Sequence, residues 1–198
     1  LVICSPKDPD ELKAMLRWSV DASHGPVAIR YARGSIIGEL LGRCARIALG
    51  KAEWLQPGAD LTIIALGSLV YPALEAATRL KTHGLEAAVV NARFVKPLDR
   101  ALLRQAAIQS SAIVTVEEAQ LAGGFGSAVS EALESLGLST VPLCRIALPD
   151  RFIEHGTRAQ LLKLCHLDAE QLTQRILSWV QTQKSPAEEL RLLSHPAA

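Results

Sequence analysis

The sequence predicts an α/β fold built on a mostly parallel sheet with helices on both faces. Four apolar runs carry that expectation, at residues 61–66, 85–90, 112–116 and 141–146. They are continuous rather than alternating, as strands covered on both faces are. The stretches between them have helical spacing, and strands that alternate with helices pair in parallel. The 198 residues, 49% apolar and 21% charged, suit one full domain of this class with flanking material.

Taken in order, Leu1-Val2-Ile3-Cys4 reads as a strand, and a strand at the first residue suggests a start inside a domain. Asp8 can cap the helix that follows, Pro9 suits its first position, and Glu11 can complete a capping box. Leu12, Met15, Leu16 and Val20 then fall on one face. Gly25-Pro26 breaks the pattern before a short strand at 27–30. Residues 47–55 read as extended, with a turn at Gln56-Pro57-Gly58. A helix over 69–83 sets Leu69, Ala73, Ala76, Ala77 and Leu80 on one stripe, and further helices fit 99–109 and 126–136. Thr157 and Gln160 have capping-box spacing, and Asp168 can cap a last helix running to about Val180. The expected core includes Ile63, Ile64, Val89, Val90, Ile113, Val114 and Val141. Residues 184–198, with two prolines, read as a mobile tail.

Several function classes are disfavoured. A net charge of +1 with scattered basic residues gives no footprint for nucleic acid. Cys4, Cys44, Cys144 and Cys165 form no CxxC pair and read as free thiols in a reducing cytoplasm. No apolar run nears the ~20 residues of a membrane span, and there is neither a phosphate-binding P-loop nor an H-E-x-x-H metal motif. Gly124-x-Gly126 starts a dinucleotide loop, but Val129 replaces its third glycine. The amides there could hold an anion; the preferred reading is a tight turn with close helix–sheet packing. Ser127 is not in a hydrolase elbow.

Three places remain as candidates. Arg30-Tyr31-Ala32-Arg33-Gly34 lies at a strand's carboxyl end, where α/β sheets bind ligands. An arginine there is either a phosphate clamp or a surface ion pair. Glu117-Glu118, also at a strand end, is either an acid–base pair, a solvated terminus, or a partner for Arg93 or Lys96. His155 is a loop histidine, catalytic or simply exposed.

Several segments, in this order, resemble the 1-deoxy-D-xylulose-5-phosphate synthase family. They are Ser5-Pro6-Lys7-Asp8, Gly25-Pro26 with Arg30-Tyr31-Ala32-Arg33-Gly34, and Ile64-Ala65-Leu66-Gly67-Ser68. Arg93-Phe94-Val95-Lys96-Pro97-Leu98-Asp99 follows, then Val114-Thr115-Val116-Glu117-Glu118 with Gly123-Gly124-Phe125-Gly126-Ser127-Ala128-Val129. The most specific block is Leu148-Pro149-Asp150-Arg151-Phe152-Ile153-Glu154-His155-Gly156. The resemblance, over residues 1–180, implies the tail of a pyrimidine-binding domain at 1–35 and a linker with a first strand at 36–60. A three-layer α/β/α sandwich like the transketolase C-terminal domain follows at 61–180, and a mobile tail at 181–198.

Such an enzyme is a cytoplasmic homodimer that uses thiamine diphosphate and Mg2+. It condenses pyruvate with glyceraldehyde 3-phosphate, with loss of carbon dioxide, for isoprenoid, thiamine and pyridoxal synthesis. The family's metal motif and activating glutamate lie in segments this sequence lacks. The resemblance therefore implies a chain inactive alone, binding no cofactor or metal itself, and partnered with the enzyme's N-terminal domains. It also implies no membrane or nucleic-acid partner. It passes the family's phosphate-binding arginine to Arg33, although Ala32 stands where the family has proline and Ala119 where an asparagine is common. Alternatives are the tail of a transketolase or of a 2-oxoacid dehydrogenase beta subunit, or a non-catalytic α/β interaction module.

Overall fold

The computed structural model describes residues 1–21, 25–34 and 46–183. The apolar opening forms β1 (Val2–Cys4), followed by α1 (Pro9–Asp21) and β2 (Val27–Ile29). Then come β3 (Glu53–Gln56), β4 (Leu61–Ala65), α2 (Val70–Thr82), β5 (Ala87–Asn91) and a short β6 (Phe94–Lys96). The rest is α3 (Arg100–Gln109), β7 (Ile113–Gln120), α4 (Phe125–Ser135), β8 (Leu143–Leu148), α5 (Arg158–Leu164) and α6 (Ala169–Gln183).

The apolar runs form a five-stranded sheet in the order β3-β5-β4-β7-β8. Its strands are parallel except β3, which pairs antiparallel with β5 at one edge. The two-residue period of a strand sorts their side chains between two cores. Leu61, Ile63, Ala65, Val89 and Val114 meet α2 and α6 on one face. Ile64, Val90 and Ile113 meet Leu102, Leu103, Phe125 and Val129 of α3 and α4 on the other. This is the expected sandwich. Six of the seven expected core residues are buried. Val141 is half-buried and lies ahead of its strand. Pro142 has no N–H to give a ladder, so only its carbonyl pairs, accepting from Ile113 at 2.9 Å. The strand proper starts at Leu143.

A second, three-stranded sheet joins β2, β1 and β6, with β6 antiparallel to β1. The expected motif around Phe94 thus contains a strand that carries the N-terminal segment. Val2, Cys4, Met15, Ile47 and Phe94 form a small core beneath it, and Trp18 meets Phe94 edge-on at 5.6 Å.

Helix α1 differs from its expected face. It turns Glu11 and Met15 inward, with Ala14 and Trp18 half-buried, and leaves Leu16 and Val20 exposed at 49% and 85%. Glu11 sets this orientation. Its carboxylate, with no exposed surface, accepts from Arg93 Nε at 2.7 Å, from Asn91 Nδ2 at 2.9 Å and from Lys7 N at 2.7 Å. Lys7 Nζ lies 3.3 Å from both Glu11 and Glu53, and Arg93 Nη2 lies 2.9 Å from Glu53. Asp8 caps the helix, accepting from Glu11 N at 2.8 Å. Glu11 completes the box one residue early, on Lys7 N rather than Asp8 N. Burial by itself would lower the Lys7 ammonium. The carboxylates of Glu11, Glu53 and Asp8 outweigh it and hold the group above its ordinary range.

Thr157 and Gln160 form the expected capping box, and Asp168 caps the last helix, accepting from Gln171 N at 2.8 Å. Asp99 caps α3 through Leu102 N and also holds the chain before β3 through Ala52 N. Helix α6 continues to Gln183, three residues past the expected end. The expected tail at 184–198 and Cys44 lie outside the described residues.

Replacing Glu11 by Ala leaves two buried cations short of a counter-charge, and breaking such a cluster costs about 3–5 kcal/mol. Urea unfolding should show that loss; one below about 1 kcal/mol would reduce the cluster to an ordinary surface network. Burial, and then the Glu11 carboxylate, push the Cys4 thiol from 9.0 up to about 11. A folded value above the unfolded one contributes stability that is complete below the unfolded value and is lost as pH rises toward the folded one. Unfolding free energies at about pH 8 and about pH 10 should therefore differ by on the order of 1 kcal/mol from this group. The Cys4→Ala variant should lack that part of the slope.

Candidate anion-binding cleft

The segment after β2 runs Arg30-Tyr31-Ala32-Arg33-Gly34, and its last four residues form one wall of a cleft of about 880 Å³. The start of α1 supplies a second wall through Lys7, Asp8 and Leu12. Ser68, Tyr71 and Glu75 form a third, and Arg158, Leu162 and Lys163 of α5 a fourth. The cleft therefore lies where the N-terminal sheet meets the sandwich. Arg33 and Lys163 are exposed, whereas Lys7 is spent inside the ionic cluster. Tyr71 donates to Asp8 Oδ2 at 3.1 Å across the joint. The remaining surface is largely apolar, with Pro6, Pro9, Ala32 and Pro72. A guanidinium beside apolar walls interacts more strongly with an anion than one fully in water.

Three hydrogen bonds of Arg30 and one close approach at Gly67 seat the Arg33 segment. Arg30 is held through its N–H on Cys4 O, its carbonyl on Ser5 Oγ at 2.8 Å, and its guanidinium on the Glu118 carbonyl. Gly67, at φ +62, lets the chain pass against Ser5 Oγ where a Cβ would collide. Arg33 is thus on the cleft wall, and no ion pair to it is found among the described residues.

The two glutamates after Val116 have separate tasks. Glu117 is 1% exposed and accepts from Phe125 N and Gly126 N, both at 2.7 Å. The anion at the start of α4 is therefore the chain's own carboxylate. Gly124 is required by the fit, since a Cβ there would come within 2.6 Å of Glu117 Oε2. Glu118 instead accepts from Arg158 Nη2 at 2.7 Å and Ser68 Oγ at 3.1 Å. Arg93 belongs instead to the Glu11 cluster, paired with Glu11 and Glu53.

His155 is exposed in the loop before α5 and does not line the cleft. Ser127 bridges its own turn, accepting from Arg145 Nη1 at 3.0 Å and donating to Leu121 O. Sequence reasoning missed Arg158, Tyr71 and Lys163. Arg158 follows the recognised Thr157 cap, but its partner Glu118 is forty residues away, and no local pattern joins them. Cys4, Cys144 and Cys165 are free thiols. Among the described residues no helix is long and apolar enough to cross a membrane.

Residues 50–172 match the family model described as transketolase, C-terminal domain. The chain is 48% identical over 183 residues to a 1-deoxy-D-xylulose-5-phosphate synthase of Thermomicrobium roseum, covering 92% of this chain and 29% of that protein. It is 43% identical over 195 residues to 1-deoxy-D-xylulose-5-phosphate synthase 1 of Geobacter sulfurreducens, covering 98% and 30%. The chain thus spans under a third of the curated relatives it matches. Among solved structures, a split-gene transketolase described as an inactive beta4 tetramer superposes with a TM-score of 0.80 at 33% identity, over 89% of this chain and 56% of that one. A transketolase of Pichia stipitis superposes with a TM-score of 0.71 at 21% identity, over 93% and 26%; that likeness concerns the fold alone. The chain belongs to the transketolase C-terminal domain family and, within it, is a relative of the 1-deoxy-D-xylulose-5-phosphate synthases.

Proposed function

We propose that the chain is the C-terminal part of an enzyme condensing pyruvate with glyceraldehyde 3-phosphate to 1-deoxy-D-xylulose 5-phosphate. The carboxylate of pyruvate leaves as carbon dioxide, and its carbonyl carbon forms the new bond to the aldehyde. The product is a precursor for isoprenoid, thiamine and pyridoxal synthesis. One observation carries the proposal: the 48% identity to a synthase of that name extends over 92% of the chain. The transketolase alternative rests on weaker likeness, 33% for the split-gene transketolase and 21% for the Pichia stipitis protein. Residues 1–35 are assigned to the end of a pyrimidine-binding domain, 36–60 to a linker with β3, and 61–180 to the C-terminal domain. A cytoplasmic homodimer belongs to the same proposal, on the family resemblance.

Thiamine diphosphate and Mg2+ fall to the preceding domains. Among the described residues no group of three His, Cys, Asp or Glu side chains is arranged to hold a metal. The helix start best suited to a diphosphate already carries the Glu117 carboxylate, which repels a second anion. The share of this chain is recognition. Arg33, on the cleft wall, is assigned to the phosphate of glyceraldehyde 3-phosphate, where a planar guanidinium can pair two phosphate oxygens at once.

The chain by itself should show no carboligation when given pyruvate, glyceraldehyde 3-phosphate, thiamine diphosphate and magnesium. The split-gene relative's description as inactive accords with this. Turnover by the isolated chain would overturn the division of labour. In the complete enzyme, Arg33→Ala should raise KM for glyceraldehyde 3-phosphate about ten- to hundredfold, the worth of a lost charged hydrogen bond. KM for pyruvate should hardly move, and Arg33→Lys should recover part of the loss. Equal losses for both substrates would contradict the assignment.

A further inference from the structure

Glu118 stands near the carboxyl end of β7 and touches the start of the segment that carries Arg33 directly, and the end of it through Arg158. Its carbonyl accepts from Arg30, three residues before Arg33. Its carboxylate accepts from Arg158 Nη2 at 2.7 Å and from Ser68 Oγ at 3.1 Å, and Arg158 Nη2 also donates to Ser68 Oγ at 2.8 Å. The Arg158 side chain then lies under Gly34, its Cδ 3.5 Å from where a Cβ would stand. Arg158 and Glu118 are largely shielded, at 18% and 26% side-chain exposure. A shielded charged pair of this geometry has a firmer hold than an exposed one.

We propose, resting on the assignment of Arg33 to the acceptor phosphate, that the Glu118–Arg158 pair is a positioning strut for Arg33, supplied by the sandwich to the phosphate site. Residue 32 is Ala, so the segment lacks the fixed φ that a proline would give it. The strut and the Arg30 anchor hold it from outside instead. Arg158 packs beside Gly34, the residue after Arg33, and its Nη2 is committed to Glu118 and Ser68. Its effect on the phosphorylated acceptor therefore passes through Arg33.

The test is a cycle in the complete enzyme with Arg158→Ala, Arg33→Ala and the double variant, read as KM for glyceraldehyde 3-phosphate and for pyruvate. Arg158→Ala should raise the acceptor KM about tenfold, with kcat and the pyruvate KM nearly unchanged. In the Arg33→Ala background the same change should have no further effect. Arg158→Lys, which keeps one donor for Glu118, should restore most of the affinity. Glu118→Gln, which keeps the shape and weakens the pair, should reproduce a milder loss and covers the case of an unfolded Arg158 variant. Additive losses would mean that Arg158 holds the phosphate directly and would overturn the strut. Equal losses for both substrates would reduce it to general stability, which also overturns it. A silent Arg33→Ala would instead overturn the Arg33 assignment itself, whatever Arg158 does.

Discussion

The Glu11 carboxylate, with no exposed surface, is the fixed point around which the two sheets are arranged. It receives donors from Lys7, Asn91 and Arg93, so one carboxylate ties the first helix to the turn between β5 and β6. Glu53, 24% exposed at its side chain, brings β3 into the same cluster. Two cations, Lys7 and Arg93, face the carboxylates of Glu11, Glu53 and Asp8. Taking such groups out of water costs several kcal/mol per ion, and attraction offsets it only when the geometry leaves few donors and acceptors unmet. Hydrophobic packing of similar volume would hold the joint as firmly, but would tolerate sliding. A cluster with directed bonds fixes the angle and register of the N-terminal sheet on the sandwich. Arg93 adopts φ +58 within it, a backbone strain that the bonds to Glu11 and Glu53 offset.

The cleft follows from that fixed joint. Its walls come from both sides, and Arg33 reaches it from a segment whose start is hydrogen-bonded to Cys4 and Ser5 of β1 and the turn after it. Rotation of the small sheet by a few degrees would open the wall and carry Arg33 away from α5. A misplacement near 1 Å is enough to harm a bidentate contact. If Arg33 holds the phosphate as proposed, stability and recognition are linked through the same few residues.

The sheet was legible because continuous apolar runs have few other uses in a chain of this length. The strands at 61–66 and 112–116 needed no partner knowledge, and neither did the Thr157 and Asp168 caps, which are local signals. The face of α1 was not legible. Periodicity favoured Leu16 and Val20, while the structure buries Glu11, because the partners of that carboxylate lie some eighty residues on. For the same reason the sequence left Glu117 open between an acid–base pair, a solvated terminus and a partner for Arg93 or Lys96. Its task depends on the approach of Phe125 and Gly126 amides, which only the fold brings near. The short β6 was hidden inside a motif known for its residues rather than its conformation. Arg30 and Arg33 stood out together by their place at a strand end, and the family resemblance chose Arg33 between them, whereas Arg158 and Glu118 met only in three dimensions.

Native-state hydrogen exchange of the amides of Ser5 and Arg30 tests most directly whether the N-terminal sheet is clamped to the sandwich. Ser5 N–H is bonded to Arg93 O and Arg30 N–H to Cys4 O, both at 2.8 Å. If the cluster fixes the joint, these amides exchange slowly, through openings comparable to those of β4 and β7. Exchange at the rate of unstructured chain, with β4 and β7 still protected, would contradict the clamp.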